Sequence, residues 1–143
     1  NGANILTDTN MVSSAIIRKF IPENNEVLCF LRDSRVIPIS KSNETTLSAA
    51  AVDLWLGYLQ GAVVVIGNAP TALFRLLELI EIKDIRPALI IGIPVGFVGA
   101  KESKEELIQN KRNIDYITLR GRRGGSAIAA AAFNAIALES KRL

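Results

Sequence analysis

Three stretches of the chain put glycine, hydroxyl, amide and arginine together at spacings suited to gripping an anion. They are Gly67-Asn68-Ala69-Pro70-Thr71 with Arg75 one turn further on, Gly92-Ile-Pro-Val-Gly96-Phe-Val-Gly99-Ala-Lys101, and Thr118-Leu-Arg120-Gly-Arg122-Arg123-Gly124-Gly125-Ser126. Glycine lets a backbone approach a ligand closely, and free N–H groups at a helix start carry about half a positive charge. The planar guanidinium fork matches carboxylate or phosphate. Two smaller groups, Thr7, Asp8 and Asn10, then Arg32 and Arg35, extend the pattern. The chemistry they imply together is a site for a ligand with several acidic groups. Each piece also has a plainer reading. The glycines make tight turns, the GRRGGS run is neither a Walker loop nor GxGxxG, and Arg75 near Glu78 and Glu81 suits a surface salt bridge. Cys29 in an apolar run, and Trp55 and Tyr58 on a helix, read as packing.

What is missing narrows the chemistry further. The 143 residues contain no histidine and one cysteine, which excludes a Ser-His-Asp triad, a Cys-His dyad and the usual zinc ligand sets. The lone cysteine excludes a disulfide framework and fits a reducing, cytoplasmic setting. A hydrophobic fraction of 49% with 22% charged residues excludes intrinsic disorder. The net charge of +3 is too mild to imply nucleic acid, yet leaves room for an anionic small molecule. The apolar runs Ala62 to Ile66 and Ala88 to Val98 fall short of the roughly 20 residues of a membrane span.

Elements that position these residues alternate strictly. Strands are expected at Ile5-Leu6, Val27 to Leu31, Ala62 to Ile66, Ala88 to Ile91 and Asp115 to Leu119. Helices are expected from about Met11 to Phe20, from a Thr46 cap to about Gln60, and from Pro70 onward. Two more are expected, from a Ser103–Glu106 capping box to about Lys111 and from near Gly125 to Ser140. The segment with Arg32, Arg35 and Lys41 reads as a polar loop. This alternation, with continuous apolar central strands, predicts an α/β protein. We expect one domain over 1–143: a three-layer α/β/α, flavodoxin-like, doubly wound parallel sheet of five strands. In such a sheet the ligand lies beyond the carboxyl ends of the strands, where all five junction groups fall. The last helix, SAIAAAAFNAIAL, is apolar on nearly every face and predicts a second cover, either another subunit or further chain. The opening Asn1-Gly-Ala-Asn, without Met, leads us to expect an interior piece or a processed product.

GNAPTALFRLLE, PALIIGIPVGFVGAKESKEEL and YITLRGRRGGSAIAAAAFNAIA, with the opening GANILTDTNMV, resemble the precorrin-8X (cobalt-precorrin-8) methylmutase family. The resemblance runs along almost the whole chain in order, and runs such as PVGFVGA and GRRGGSA are far more specific than a glycine pattern. It implies a flavodoxin-like fold, a homodimer and an isomerase of the cobalamin pathway. That reaction moves a methyl group from C-11 to C-12 of a tetrapyrrole-derived ring and needs no separate cofactor. The substrate's acetate and propionate chains agree with the cationic edge read above. By position in the matching motifs, Thr46 and Arg75 are implied to contact substrate; strand-end placement adds Asn68, Thr71, Arg120 and Arg122.

Two departures stand beside this resemblance. The proton-donating histidine it implies lies upstream of the stretch matching Asn1, and Asp8 substitutes for it only if strongly desolvated. Leu47 occupies a place where the family usually has arginine between Thr46 and Ser48. Three readings therefore compete: the main body of a methylmutase, a relative that only binds a corrinoid or other anionic tetrapyrrole, and an unrelated nucleotide- or phosphate-binding module. None of them calls for a resident metal, a nucleic acid or a membrane.

Overall fold

A computed structural model describes residues 2–22, 24–110 and 112–142. Five strands, β1 (Ile5–Thr7), β2 (Val27–Cys29), β3 (Val63–Ile66), β4 (Leu89–Gly92) and β5 (Tyr116–Thr118), pair in parallel in the order β2-β1-β3-β4-β5. Ile5 pairs with both Val27 and Val63, Val63 with Leu89, and Ile90 with Tyr116. That order is the flavodoxin-like, doubly wound one, with its reversal between β1 and β3. The α/β/α sheet expected from the strand alternation is therefore the one observed.

Alternate side chains of each strand feed two cores. Leu6, Val64, Ile66 and Ile90 point to the face covered by α3 (Leu47–Asp53), α4 (Pro70–Lys83) and α5 (Ala100–Ile108). Ile5, Val65 and Ile91 point to the face covered by α1 (Asn10–Ala15) and α6 (Ser126–Arg142). Helix α4 shows why a sequence of this kind becomes a helix in this place. Pro70 fills a first-turn position whose N–H has no intrahelical use, and Ala72, Leu73, Leu76, Leu79 and Ile80 form one buried stripe.

Several boundaries differ from the sequence reading. Helix α1 stops at Ala15 because Asn134 of α6 takes over its end: Asn134 Nδ2 donates to the Ala15 carbonyl at 3.0 Å and Oδ1 accepts from Ile17 N–H at 2.9 Å. A 3-10 turn, Arg18–Phe20, follows. The segment read as a polar loop contains a helix, α2 (Val36–Ser42), packed on α3 through Val36, Ala50 and Ala51. Pro38 is tolerated there because it sits in the first turn. Thr46 does cap α3, its Oγ1 accepting from Ala49 N–H at 3.1 Å, but the helix ends at Asp53 rather than Gln60 and gives way to i→i−3 turns through Tyr58. Ser103 is no cap. Helix α5 starts four residues earlier, capped by Gly99 in place of Ser103, and the Ser103 hydroxyl donates back to the Ala100 carbonyl inside the helix. That helix ends at Ile108; its expected end, Lys111, lies outside the described residues.

Candidate functional site

Beyond the carboxyl ends of the strands the structure builds two unlike neighbourhoods. The first is centred on Asp8, just after β1, which is 4% exposed. Its Oδ1 accepts from Gly67 N–H at 2.9 Å, and its Oδ2 from Asn68 N–H at 2.9 Å and Ala69 N–H at 2.8 Å. Burial pushes this carboxyl above its ordinary value, against the pull of the three amides. The amides expected to receive a ligand anion at the β3–α4 junction are thus already occupied by a side chain of the protein. Asp8 is thus strongly desolvated, as a substitute acid would need to be, but in this structure its carboxylate is engaged by the turn and ties β1 to the start of α4.

On the outer side of that turn, Thr46 and Thr71 meet, their Oγ1 atoms 2.8 Å apart. Arg75, one turn along α4, donates from Nε to Asp53 Oδ1 at 2.7 Å and from Nη1 to Glu78. The hydrogen bond to Asp53 raises the Arg75 pKa still further, so its charge is permanent. Thr71, Arg75, Asp53, Thr45, Asn43 and Glu78 line a hollow of about 470 Å³ with Ala49 and Phe74. Asp53, which the sequence reading missed, is the strongest partner in it. Only the arginine's i+3 neighbour Glu78 was foreseeable, because Asp53 comes from another helix. Asn68 gives its N–H to Asp8 while its side chain faces solvent.

The second neighbourhood is the β5–α6 turn. Here the backbone carbonyls, not the amides, are engaged. Lys104 of α5 has no exposed surface and donates from Nζ to the Gly121 carbonyl at 2.9 Å and to the Arg123 carbonyl. The carbonyl between them, that of Arg122, accepts from Gly96 N–H at 3.2 Å. Burial pushes the Lys104 ammonium below its ordinary value. Gly124 closes the packing, since a Cβ there would stand 2.3 Å from the Ile93 carbonyl oxygen. With the backbone fixed, the side chains point outward. Arg120 is 3.7 Å from Glu105 and mostly exposed; Arg122 lies 5.3 Å over the Phe97 ring. Among the described residues no carboxylate pairs with Arg122 or Arg123.

These two neighbourhoods do not share one hollow, because Arg120 and Arg122 are not among the residues lining the one that holds Arg75. They are joined by the β4–α5 loop. Gly96 contacts the arginine turn, and a Cβ on Gly99 would lie 3.4 Å from Pro70 and 3.6 Å from Phe74 of α4. At the second junction Arg35 forks onto Asp33, holding that carboxyl down to about 2, so Arg35 is locally neutralised. A larger hollow, about 860 Å³, lies at the other edge of the sheet between the first strand residues, the Arg18–Phe20 turn and the end of α6. It contains none of the sequence-derived site residues, and its walls are mostly aliphatic and aromatic. Among the described residues no cluster of His, Cys, Asp or Glu is suited to a metal ion.

Comparison with known proteins narrows the readings of this edge. Residues 1–139 match the family model described as Precorrin-8X methylmutase. The chain belongs to that family. It is similar to Precorrin-8X methylmutase of Pseudomonas aeruginosa, 51% identical over 138 residues, which are 96% of this chain and 66% of that protein. It is also similar to Cobalt-precorrin-8 methylmutase of Leptospira interrogans, 39% identical over 152 residues, covering 99% of this chain and 67% of the relative. The chain therefore spans about two thirds of the length of these curated relatives. The solved structure of Precorrin-8x Methyl Mutase from Thermus Thermophilus superposes with a TM-score of 0.86 at 36% identity, over 99% of this chain and 68% of that one. The sheet order and the junctions described above are thus those of a methylmutase-family body. The nucleotide-binding alternative falls with that membership.

Proposed function

We propose that this member of the precorrin-8X methylmutase family is an isomerase of cobalamin biosynthesis, shifting a methyl group from C-11 to C-12 of precorrin-8X or its cobalt form. The observation that carries the reading is the arginine turn: a clamped backbone presenting Arg122 and Arg123, which have no carboxylate partner among the described residues, at the strand ends of a family member. A ring bearing several acetates and propionates is the ligand such an edge suits, each charge-assisted hydrogen bond contributing roughly 1.5–3 kcal/mol. In this proposal Thr46, Thr71 and Arg75 hold one side of the ring through hydroxyls and the guanidinium's remaining donors. Asn68 meets a carboxylate at that same β3–α4 turn, which Asp8 preserves, and Arg120 and Arg122 meet carboxylates at the β5–α6 turn.

The methyl shift needs a proton donor with a pKa near the working pH. These 143 residues contain no histidine, and both oxygens of Asp8 are taken by amides. We therefore assign them the role of substrate-binding body, as one domain, and place the donor in the length by which the relatives exceed this chain. The same two observations favour a second reading, a corrinoid-binding relative without turnover. No helix among the described residues is long and apolar enough to cross a membrane. The proposal includes a homodimer in the cytoplasm; the dimer is supported by Ile128 and Ile136, which are exposed on α6 beside its buried stripe of Ala129, Ala130, Phe133 and Ala137.

The test is incubation of the full-length protein, including the length in which this proposal places the donor, with precorrin-8X and, separately, with cobalt-precorrin-8, followed in the visible spectrum. Conversion to the methyl-shifted ring establishes the isomerase. A saturable spectral change without conversion leaves the binding reading, and no change at high micromolar protein contradicts both.

A further inference from the structure

The β4–α5 loop exposes apolar surface at the edge where a soluble protein gains least from it. Phe97 is 83% exposed and Val98 90%. Their presentation is built in, because the residues on either side, Gly96 and Gly99, have φ of 136° and 86°, in the region L side chains rarely adopt. These two glycines turn the Phe-Val pair outward. The loop is also held against the arginine turn: Gly96 N–H donates to the Arg122 carbonyl, and Lys104 holds the carbonyls on both sides of it. Three consecutive carbonyls are thus fixed, which places the Arg122 guanidinium over the Phe97 ring.

An aromatic ring and a branched aliphatic side chain exposed beside Arg122, which has no carboxylate partner among the described residues, complement one kind of occupant, a broad apolar ring with acidic groups on its rim. We propose that Phe97 and Val98 form a lip that packs against the face of the corrin macrocycle, with Arg122 taking a carboxylate at the ring's edge. This rests on the corrinoid reading of the site and extends it to a contact that sets affinity through ring area as well as charge.

The experiment is titration of the full chain, F97A, V98S and R122Q with the metal-free, methyl-shifted corrin product, followed in the visible spectrum. Sedimentation of each protein without ligand accompanies it. All three side chains are exposed, so urea midpoints should match the parent chain and a change in binding reads the contact. F97A is expected to raise Kd about tenfold or more, as loss of a stacking ring does. V98S should raise it about threefold, and R122Q should raise it at low salt with a reduced salt dependence. The F97A/R122Q double variant should lose less than the product of the single losses, because the guanidinium rests on the ring. Binding by the parent chain that F97A and R122Q leave unchanged overturns the lip while sparing the corrinoid reading. A parent dimer that becomes monomeric in F97A also overturns it, since a second copy then covers the loop. No binding by the parent chain overturns both.

Discussion

The β3–α4 and β5–α6 turns look alike as sequence, each a glycine-containing junction leading from a parallel strand into a helix. In the folded chain they are opposites. The β3–α4 turn points its amides inward, where the Asp8 carboxylate occupies those of Gly67, Asn68 and Ala69. At the β5–α6 turn the carbonyls point inward, onto Lys104 and Gly96, leaving the arginine side chains directed outward. One turn is electrostatically complete within the protein, and the other is complete only in its backbone. A glycine-rich helix start attracts anions in general, but whether it binds a ligand depends on what the rest of the chain has already put there.

Removing the internal anion breaks the comparison most severely. Asp8→Ala leaves the buried N–H groups of Gly67 and Ala69, and the part-buried one of Asn68, without that acceptor; at about 1–3 kcal/mol for each buried group, a loss of roughly 4 kcal/mol in urea unfolding is expected. A loss below about 1 kcal/mol would mean the turn finds other partners. Asp8→Asn should fall between, since its amide keeps one oxygen but turns an NH₂ toward a donor.

Lys104→Met loosens the other turn. It should cost about 1–2 kcal/mol at neutral pH, where lost charge-assisted bonds are partly offset by relief of burial. It should weaken corrin binding more than stability alone explains. The pH dependence has a definite sign. Because the folded-state value of Lys104 lies below the ordinary 10.5, the unfolded chain binds more protons between those two values. The stability advantage of the parent chain over Lys104→Met should then grow as pH rises through that window and level off above it. An advantage that stays flat or falls there would contradict the buried ammonium.

Least of all is expected from Arg120→Gln. Arg120 is exposed and 3.7 Å from Glu105, so thermal or urea stability should change by less than about 0.5 kcal/mol. Any effect should appear in ligand affinity and shrink with added salt.

Local signals made much of this legible and distant ones did not. The β-branched run before Gly67, Pro70 in a first turn and the Thr46 cap are written within a few residues of where they act, and each was found where it was read. Alternation of such signals was enough for the parallel sheet. The end of α1 depends on Asn134, more than a hundred residues away, and no nearby breaker announces it. Helix α2 carries a proline and no side-chain cap, so its packing on α3 decides it rather than propensity. At the candidate site, Thr71 and Arg75 were readable as polar residues in the first turns of a helix, and Thr46 entered through the family resemblance. The carboxylate of Asp53 beside Arg75 and the lysine under the arginine turn were not, because helix periodicity records neither which neighbouring helix is adjacent nor where a long side chain ends.

Amide hydrogen exchange with and without the metal-free corrin product tests the whole arrangement most directly. Residues 93–99 and 119–125 should gain protection on binding, residues 67–69 should be protected before any ligand arrives, and the aliphatic hollow around residues 18–22 and 133–141 should not respond. Protection that appears in that hollow while the arginine turn stays unchanged would put the ligand at the wrong edge of the sheet and contradict the account.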